Sequence, residues 1–340
     1  MMKSLIWNVP DVVLGGTMNK EYIWKLEDIK KVRKNGLKVF SCFACGGGST
    51  MGYKLAGFDV IGCNEIDPKM NATYVKNHHP KYNFNTDIRD LINRGLPDEL
   101  YNLDILDGSP PCSVFSMAGK REKGWGIEKT FREGQKKQRL DDLFFYFIDL
   151  AEKLKPKVIV AENVKGLIFK KARGYVNEIL KRFDKAGYDV QIFLLNSARM
   201  GVPQRRERTL FIARRKDLKI PKVVLNFNEK PITYGEFKDT SFKLLHKGTE
   251  LRETGKNKRF NEKYIKDNMV CGTIVSKGKI LRFDFPAKIS NKDIITIQTF
   301  PQDYNFCGQN VQYVCGMSVP PIMMKKIAEQ IYLQIFKNTR

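Results

Sequence analysis

A cysteine in a rigid turn is the residue of this chain with the clearest potential for chemistry. Cys112 ends the run Asp107–Cys112, which follows the short apolar stretch Leu103–Leu106. The two prolines before the cysteine restrict the backbone, because each ring holds φ near about −65° and removes an N–H donor. A thiol at the carboxyl end of a strand lies where α/β sheets bind ligands. The pattern predicts a nucleophile, and the simpler alternative is a small buried cysteine.

A carboxylic acid and a basic run could support a nucleophilic thiol. Glu162 follows the apolar stretch Val158–Ala161, and if the two strands are neighbours its carboxyl faces the same pocket as Cys112. An acid there can protonate a ring nitrogen, which makes the ring an acceptor for the thiolate. The run Gln204–Arg208 leads into another strand, so alternate arginines can point inward and favour the thiolate. The alternative for such a basic run is a solvated face.

A glycine-rich turn and two acids indicate a nucleotide-like cofactor. The segment Phe43–Gly48 follows the first predicted strand and opens a helix, where glycines let a ligand approach the backbone closely. Glu65 and Asp87 follow the next two strands, where an acid can bind ribose hydroxyls or an adenine amine. The alternative is that both acids cap the helices that follow them. The turn does not match G-x-G-x-x-G and no GK[ST] follows it, which disfavours NAD and P-loop nucleotides.

A Cys-x-x-Cys pair at Cys42 and Cys45 is a weak signal for a metal. No second pair follows at zinc-finger spacing, and the chain has three histidines. We therefore predict no metal site.

Alternating apolar runs and helical periods predict the elements that position these residues. The short apolar runs of strand length are Leu37–Ser41, Asp59–Asn64, Tyr82–Asn85, Leu103–Leu106, Val158–Ala161, Gln191–Leu195 and Leu210–Ala213. The predicted helices are Thr50–Ala56, Pro68–Asn77, Leu143–Leu154, Tyr175–Ala186 and Ile322–Phe336. This order predicts an α/β fold with a mostly parallel sheet and helices on both faces.

The overall charge favours a polyanionic partner. Lys and Arg number 60 against 37 for Asp and Glu, a net charge of +23, and nucleic acid is the commonest partner of such a surface. A lysine-rich composition can also follow from nucleotide bias in a genome. Seven cysteines without framework spacing predict reduced thiols, and the lack of an 18-residue apolar run predicts no membrane span.

The ordered set of motifs resembles the cytosine carbon-5 DNA methyltransferases, of bacterial or phage type. The segments that carry the resemblance are Phe43–Gly48, Glu65, Asp87-Ile88, Ser109–Cys112, Glu162–Val164, Gln204–Arg208, Ile297–Tyr304 and Gly316–Pro321. The resemblance implies a Rossmann-like class I methyltransferase domain with a mostly parallel sheet and a smaller target-recognition domain. It also implies S-adenosylmethionine as the methyl donor.

Roles for individual residues follow from the resemblance alone. Phe43 would stack on the adenine, Glu65 would bind the ribose, and Asp87 and Ile88 would contact the adenine. Ser318 and Val319 would lie near the methionine end. The other predicted cofactor residues are Gly46, Gly48, Ile66 and Pro110. The predicted catalytic residues are Cys112 as nucleophile, Glu162 as the acid that holds the target base, and Arg206 and Arg208 as pocket residues.

The resemblance also implies a domain organisation. We expect a catalytic domain at 37–215, a target-recognition domain at 216–304 and a returning segment at 305–340. The sequence pattern itself predicts an irregular leader at 1–36 with a basic helix near Tyr22–Lys34, and this leader is longer than is usual for the family. A mobile loop would span Gly119 to about Lys137, and residues 216 to about 285 would read the DNA sequence. Three positions depart from the family: Cys45 replaces a usual glycine, Met317 replaces a usual asparagine, and Ser41 stands where an acid is common.

The expected activity is methylation of carbon 5 of a flipped cytosine in a specific duplex DNA sequence, through a covalent Cys112 adduct. A tRNA cytosine-5 methyltransferase and a non-catalytic DNA-binding relative are the alternatives. We expect a monomer that binds double-stranded DNA, a cognate restriction endonuclease in the same system, and no membrane. The expected location is the cytoplasm of a bacterial cell or a phage-infected host.

Overall fold

The structure is a computed structural model that describes residues 20–111, 140, 142–168, 172–241, 262–283 and 287–337. Cys112 and the predicted loop Gly119–Lys137 lie outside the described residues. So do residues 1–19 of the predicted leader and 242–261 of the predicted recognition region.

A seven-stranded sheet forms the centre of the fold. Its spatial order is β3-β2-β1-β4-β5-β8-β6, and β8 alone among these strands runs antiparallel to its neighbours. The strands are β1 (Lys38–Cys42), β2 (Asp59–Asn64), β3 (Tyr82–Phe84), β4 (Ile105–Gly108), β5 (Val158–Val164), β6 (Tyr188–Asn196) and β8 (Glu207–Arg215). The strand order reverses between β1 and β4, and open α/β sheets bind ligands beyond the carboxyl ends of the strands at such a point. The predicted mostly parallel sheet is confirmed.

Helices cover both faces of this sheet. The helices are α1 (Gly48–Leu55), α2 (Pro68–His78), α3 (Ile88–Ile92), α4 (Leu143–Leu154), α5 (Arg173–Lys185), α6 (Asn291–Ile297), α7 (Val311–Met317) and α8 (Pro321–Ile331). One apolar cluster joins Met51 of α1 to Ile327 of α8, and a second joins Phe147 of α4 to Ile179 of α5. The two clusters bury opposite faces of the sheet and hold its strands in place. The strand ends that form the site are therefore fixed in position.

Several predicted elements differ in extent in the structure, and β5 and the N-terminal helix are two of them. β5 continues through Val164, since β8 pairs with it as far as Val164 opposite Arg208, so Glu162–Val164 lies inside the strand. The basic helix predicted near Tyr22–Lys34 is a short 3-10 helix at Leu26–Lys31 with no buried residue. A helix this short is marginal by itself, and here the partly buried Leu26 and Ile29 pack against the apolar core.

The described part of the leader packs on a distant segment. The indole N–H of Trp24 donates to the Thr299 carbonyl at 2.8 Å, and the Gln302 N–H donates to the Trp24 carbonyl at 2.9 Å. The N–H of Leu26 donates to Asp303 Oδ1 at 2.7 Å. These bonds hold residues 24–26 against the segment Ile297–Tyr304.

The recognition region contributes short parallel strand pairs among its described residues. β10 (Cys271–Gly272) pairs with β7 (Gln204–Arg205), and β11 (Lys279–Arg282) pairs with β9 (Glu262–Ile265). The first pair joins this region directly to the run Gln204–Arg208. At the end of the chain α8 continues as a π-helical turn through Phe336, and Ile327, Ile331 and Ile335 are buried. Within the described ranges no helix is long and apolar enough to cross a membrane.

Candidate active site

An open cleft lies at the carboxyl ends of the four strands β1, β2, β3 and β4. Part of the predicted cofactor set lines this cleft, namely Phe43, Glu65, Ile66, Asp87 and Ile88. The other lining residues are Cys45, Asn64, Asp67, Met70, Thr86, Ser109, Pro111, Leu140, Leu143, Tyr313 and Met317. This described lining contains three carboxylates and neither lysine nor arginine. In a chain of net charge +23, such a cleft suits a ligand with positive charge and disfavours one with phosphates.

Glu65 organises the wall of the cleft. Its side chain is 8% exposed, Oε2 accepts the Cys45 N–H at 2.8 Å, and Oε1 accepts the Asp67 N–H at 2.9 Å. Burial raises the pKa of Glu65, against the lowering effect of these backbone donors. The N-cap of α2 is Asp67 and not Glu65. The helix-cap alternative therefore does not describe Glu65.

Asp87 caps a helix and also lines the cleft. Its carboxylate accepts the Arg89 N–H at the start of α3 and forms an ion pair with the Arg89 guanidinium at 3.0 Å. The helix-cap alternative is therefore correct for Asp87. Its position on the cleft leaves the predicted adenine contact open to test.

The glycine-rich turn packs on the C-terminal segment. Gly46 and Gly48 do not line the cleft; a Cβ on Gly48 would lie 2.0 Å from the Val319 carbonyl oxygen, and one on Gly46 would lie 2.7 Å from Val314 Cγ1. Ser318 and Val319 are buried beneath the turn and do not line the cleft either. The glycines thus allow close packing of residues 314–319, which supports the turn from below.

A tyrosine and a histidine hold the same turn, and no sequence motif indicated the histidine. The Tyr304 hydroxyl donates to the Gly46 carbonyl at 2.7 Å, and a His78 ring nitrogen lies 3.3 Å from that oxygen. Burial lowers the pKa of His78 to about 3, so the ring is neutral at pH 7. Tyr304 belongs to the motif Ile297–Tyr304, whose role at the turn is therefore one of support.

The departures Cys45 and Met317 lie in the same wall of the cleft. Cys45 has φ +48°, a left-handed conformation that glycine adopts more readily, and its Sγ lies 3.7 Å from Ser318 Oγ. Burial raises the pKa of the Cys45 thiol to about 12. Cys42, its partner in the Cys-x-x-Cys pair, is buried and free. No group of three metal-binding side chains occurs among the residues that the structure describes.

Glu162 and Arg208 form a buried ion pair on the neighbouring strands β5 and β8. Arg208 Nε lies 2.8 Å from Glu162 Oε1, and both side chains are nearly buried. This contact of Oε1 is therefore the one that holds the Glu162 carboxylate toward β8. Burial lowers the pKa of Arg208, and the Glu162 charge opposes that effect.

Arg206 is buried as predicted, and its guanidinium contacts backbone carbonyls. The side chain is 3% exposed; Nη1 donates to the Ile274 carbonyl at 3.1 Å and Nη2 to the Gly316 carbonyl at 3.2 Å. Burial, followed by the charge of Arg208, lowers the pKa of Arg206 to about 9. Arg206 therefore joins the recognition region to the C-terminal segment, and Arg208 is the arginine that contacts Glu162.

Asn163 links β5 to the turn that leads to Cys112. Its Nδ2 donates to the Pro110 carbonyl at 3.0 Å, while Ser109 and Pro111 on either side of Pro110 line the cleft. β4 and β5 are neighbours, with Gly108 opposite Ala161. The predicted adjacency of the two strands is confirmed, and the turn before Cys112 lies beside both the cleft and the Glu162 strand.

The sheet order and the cleft beside the β1/β4 switch point define a class I methyltransferase fold. A solved structure of a Spodoptera frugiperda DNMT2 mutant superimposes with a TM-score of 0.66 at 17% identity, over 87% of this chain and 100% of that one. At this identity the likeness shows the fold alone.

The family follows from sequence matches. The model of the C-5 cytosine-specific DNA methylase family matches residues 37–283, and the chain belongs to this family. It is 38% identical over 184 residues to the Type II methyltransferase M.FnuDI of Fusobacterium nucleatum, a match that covers 54% of this chain and 48% of that protein. The chain thus spans about half the length of M.FnuDI. It is 30% identical to the Type II methyltransferase M.Sau96I of Staphylococcus aureus, over 93% of this chain and 81% of that protein.

Proposed function

We propose that this protein is a DNA (cytosine-5-)-methyltransferase that uses S-adenosylmethionine. The observation that carries this proposal is the placement of two sites at one sheet edge. The acidic cleft lies beyond β1, β2, β3 and β4, and the Glu162–Arg208 pair lies on the adjacent strands β5 and β8. Family membership and the Type II methyltransferase relatives support it.

The lining and the charge of the cleft suit S-adenosylmethionine. Phe43 offers an aromatic face for the adenine, Glu65 a carboxylate for the ribose hydroxyls, and the surrounding acids favour the cationic ligand. The bound cofactor supplies an activated methyl group. Ile66, Asp87 and Ile88 complete the proposed adenosine side of the cleft. Five further residues would act behind this lining, by shaping the glycine-rich turn and the segments that pack on it. They are Gly46, Gly48, Pro110, Ser318 and Val319.

The proposed chemistry gives one role to each residue around the target base. The target cytosine leaves the duplex, which costs a few kcal/mol, and enters the pocket beside Glu162. The Cys112 thiolate adds to carbon 6 while Glu162, which takes up a proton as the base enters, hydrogen-bonds the ring nitrogen and passes that proton to it. The electron-rich carbon 5 accepts the methyl group, with S-adenosylhomocysteine as the leaving group. A solvent base then removes the carbon-5 proton, Cys112 leaves as the thiolate, and the ring-nitrogen proton returns to Glu162. Arg208 keeps the Glu162 carboxyl in place through the ion pair.

Duplex DNA is the proposed substrate because the net charge of +23 suits a polyanion. We propose that the protein acts as a monomer in the cytoplasm and belongs to a restriction-modification system with a cognate endonuclease. The proposal of a restriction-modification system rests on the Type II methyltransferase names of its relatives. Affinity for DNA should fall by orders of magnitude between low and moderate salt, as expected when several phosphates are neutralised.

Incubation with labelled S-adenosylmethionine tests the function. The reactions contain duplex DNA, tRNA or no nucleic acid, and the modified base is then mapped. We expect label on carbon 5 of cytosine in duplex DNA, at a fixed sequence, and none with Cys112→Ala. Label on tRNA alone would favour the tRNA enzyme. DNA binding without any methyl transfer would favour a non-catalytic relative.

A further inference from the structure

Asn64 is the last residue of β2, and its side-chain amide reaches across to the end of the neighbouring strand. Asn64 is 2% exposed and lines the cleft. Its Nδ2 donates to the Phe84 carbonyl at 3.1 Å, where β3 ends, and to the Thr86 carbonyl at 2.8 Å, beyond that end. An amide nitrogen carries two protons, so these two bonds use its full donor capacity. Thr86 also lines the cleft, so this amide ties one part of the cleft wall to another.

Asn85, the residue after β3, makes the reciprocal contact. Its Nδ2 donates to the Glu65 carbonyl at 2.7 Å and to the Ile66 carbonyl at 3.3 Å. Asn85 does not line the cleft, but both residues that it holds do. We call the side chains of Asn64 and Asn85 together the amide brace.

The amide brace continues the pairing of β2 and β3 after their backbone ladder ends. The last register pair of the two strands is Asn64 with Phe84, and the Glu65 N–H donates to the Phe84 carbonyl at 3.2 Å. Beyond this point the chain turns toward α2 on one side and α3 on the other. Backbone carbonyls at such a place need donors, and the two amides supply them. The loops that leave β2 and β3 are therefore bonded to each other.

The two braced loops carry much of the cleft wall. Residues 64–67 and 86–88 all line the cleft, and they include the acids and apolar side chains proposed above for the adenosine part of the cofactor. The Glu65 carboxylate also accepts the Cys45 N–H at 2.8 Å, so a shift of the first loop would reach the turn Phe43–Gly48. An adenosine held between the two loops contacts both. Its affinity therefore depends on their spacing.

We propose that Asn64 and Asn85 are positioning residues for the cofactor, which set the spacing between the loop of Glu65 and the loop of Asp87. This inference rests on the function proposed above. Asn85 gives the sharper case, because it does not line the cleft and acts on a ligand only through the carbonyls that it holds. A spacing fixed in advance raises affinity, since the ligand does not have to order the loops itself.

A second amide pair on the same strand provides matched controls. Asn83 of β3 exchanges two hydrogen bonds with Asn71 of α2, at 2.6 Å and 3.0 Å, and neither residue lines the cleft. Asn71 is buried like Asn64, and Asn83 is exposed like Asn85. The variants are Asn64→Ala, Asn85→Ala and their double variant, with Asn71→Ala and Asn83→Ala as controls. The measurements are the Kd for S-adenosylmethionine and for S-adenosylhomocysteine by calorimetry, steady-state kinetics on duplex DNA, and the melting temperature.

We expect Asn64→Ala and Asn85→Ala each to raise the Kd for S-adenosylmethionine about fivefold to tenfold, the size expected for the loss of neutral hydrogen bonds. The Kd for S-adenosylhomocysteine should rise by the same factor, because both ligands have the same adenosine. The double variant should raise the Kd by less than the product of the two single factors, because the two amides hold one spacing. The KM for S-adenosylmethionine should rise with the Kd, while kcat at saturating cofactor stays within about twofold.

The control variants should lower the melting temperature and leave both Kd values within about twofold. Asn85 is exposed, so Asn85→Ala should fold even where the buried Asn64→Ala does not. The inference is wrong if Asn85→Ala binds the cofactor like the unmodified protein, or if Asn83→Ala weakens binding as much as Asn85→Ala does. Failure of the unmodified protein to bind S-adenosylmethionine would instead overturn the proposed function, and this inference with it.

Discussion

The cofactor side of the site, at β1 to β4, and the base side, at β5 and β8, hold their buried charges differently. On the cofactor side Glu65 is held by backbone N–H groups and Asp107 by a hydroxyl, with no cation paired to either among the described residues. On the base side Glu162 already has Arg208 as its counter-ion. The cofactor side therefore keeps an excess of negative charge that a cationic ligand can neutralise. On the base side Glu162 and Arg208 neutralise each other before any ligand enters, and the buried Arg206 is held by backbone carbonyls.

Removal of the base-side acid should have the largest effect. Glu162→Gln keeps the shape but cannot protonate the ring nitrogen, so we expect kcat on duplex DNA to fall by about a thousandfold. The Kd for S-adenosylmethionine should stay within about threefold, because Glu162 does not line the cleft. Single-turnover kinetics and calorimetry measure the two quantities. A variant that retains a tenth of the turnover would show that the ion pair is structural only.

The pH dependence of stability tests the unpaired charge on the cofactor side. Burial raises the pKa of Asp107 from 3.8 to about 7, so the folded protein holds this proton where the unfolded chain has released it. This group therefore makes stability fall as pH rises from about 4 to about 7, at about 1.4 kcal/mol per pH unit and by about 4 kcal/mol at most. Asp107→Asn should remove that fall. Denaturant titrations of both proteins across this pH range measure it, and parallel curves would contradict it.

Arg206 should matter mainly for the assembly of the base side. Arg206→Ala leaves the Ile274 and Gly316 carbonyls without their donors, and we expect the free energy of unfolding to fall by about 3 kcal/mol. The neighbouring Arg205 is exposed, so Arg205→Ala should change the free energy of unfolding by less than about 0.5 kcal/mol. Urea titrations of the two variants compare them. Equal effects would mean that the buried carbonyl contacts add no stability.

The cofactor-side acid should show the opposite kinetic pattern to Glu162. Glu65→Gln leaves one of the two N–H donors without a carboxylate oxygen, and the cleft loses a negative charge. We expect the KM for S-adenosylmethionine to rise about tenfold and kcat to change by less than about threefold. Steady-state kinetics at saturating DNA separate the two constants. A fall in kcat with unchanged KM would place Glu65 outside the cofactor site.

The elements that form the cleft were predictable because their signals are local. β2 and α4 lie at the residues predicted, since apolar runs are bounded by turn residues and the cleft residues follow strand ends directly. The partners of the base side are not local: Arg206 contacts carbonyls 68 and 110 residues away, and Glu162 lies inside β5 because β8 returns antiparallel. The sequence pattern identified these residues but could not show their partners. The packing of Gly48 on Val319 was hidden for the same reason.

A covalent trap tests the central claim most directly. DNA in which cytosine is replaced by 5-fluorocytosine cannot lose a proton from carbon 5, so a thiol that has added to carbon 6 stays bonded after methyl transfer. With S-adenosylmethionine present, we predict a complex that survives denaturing electrophoresis, with the DNA linked to Cys112 in the peptide map. Cys112→Ala should form no such complex while still binding the DNA. A stable complex in that variant, or none in the unmodified protein that methylates ordinary DNA, would contradict the proposed role of Cys112.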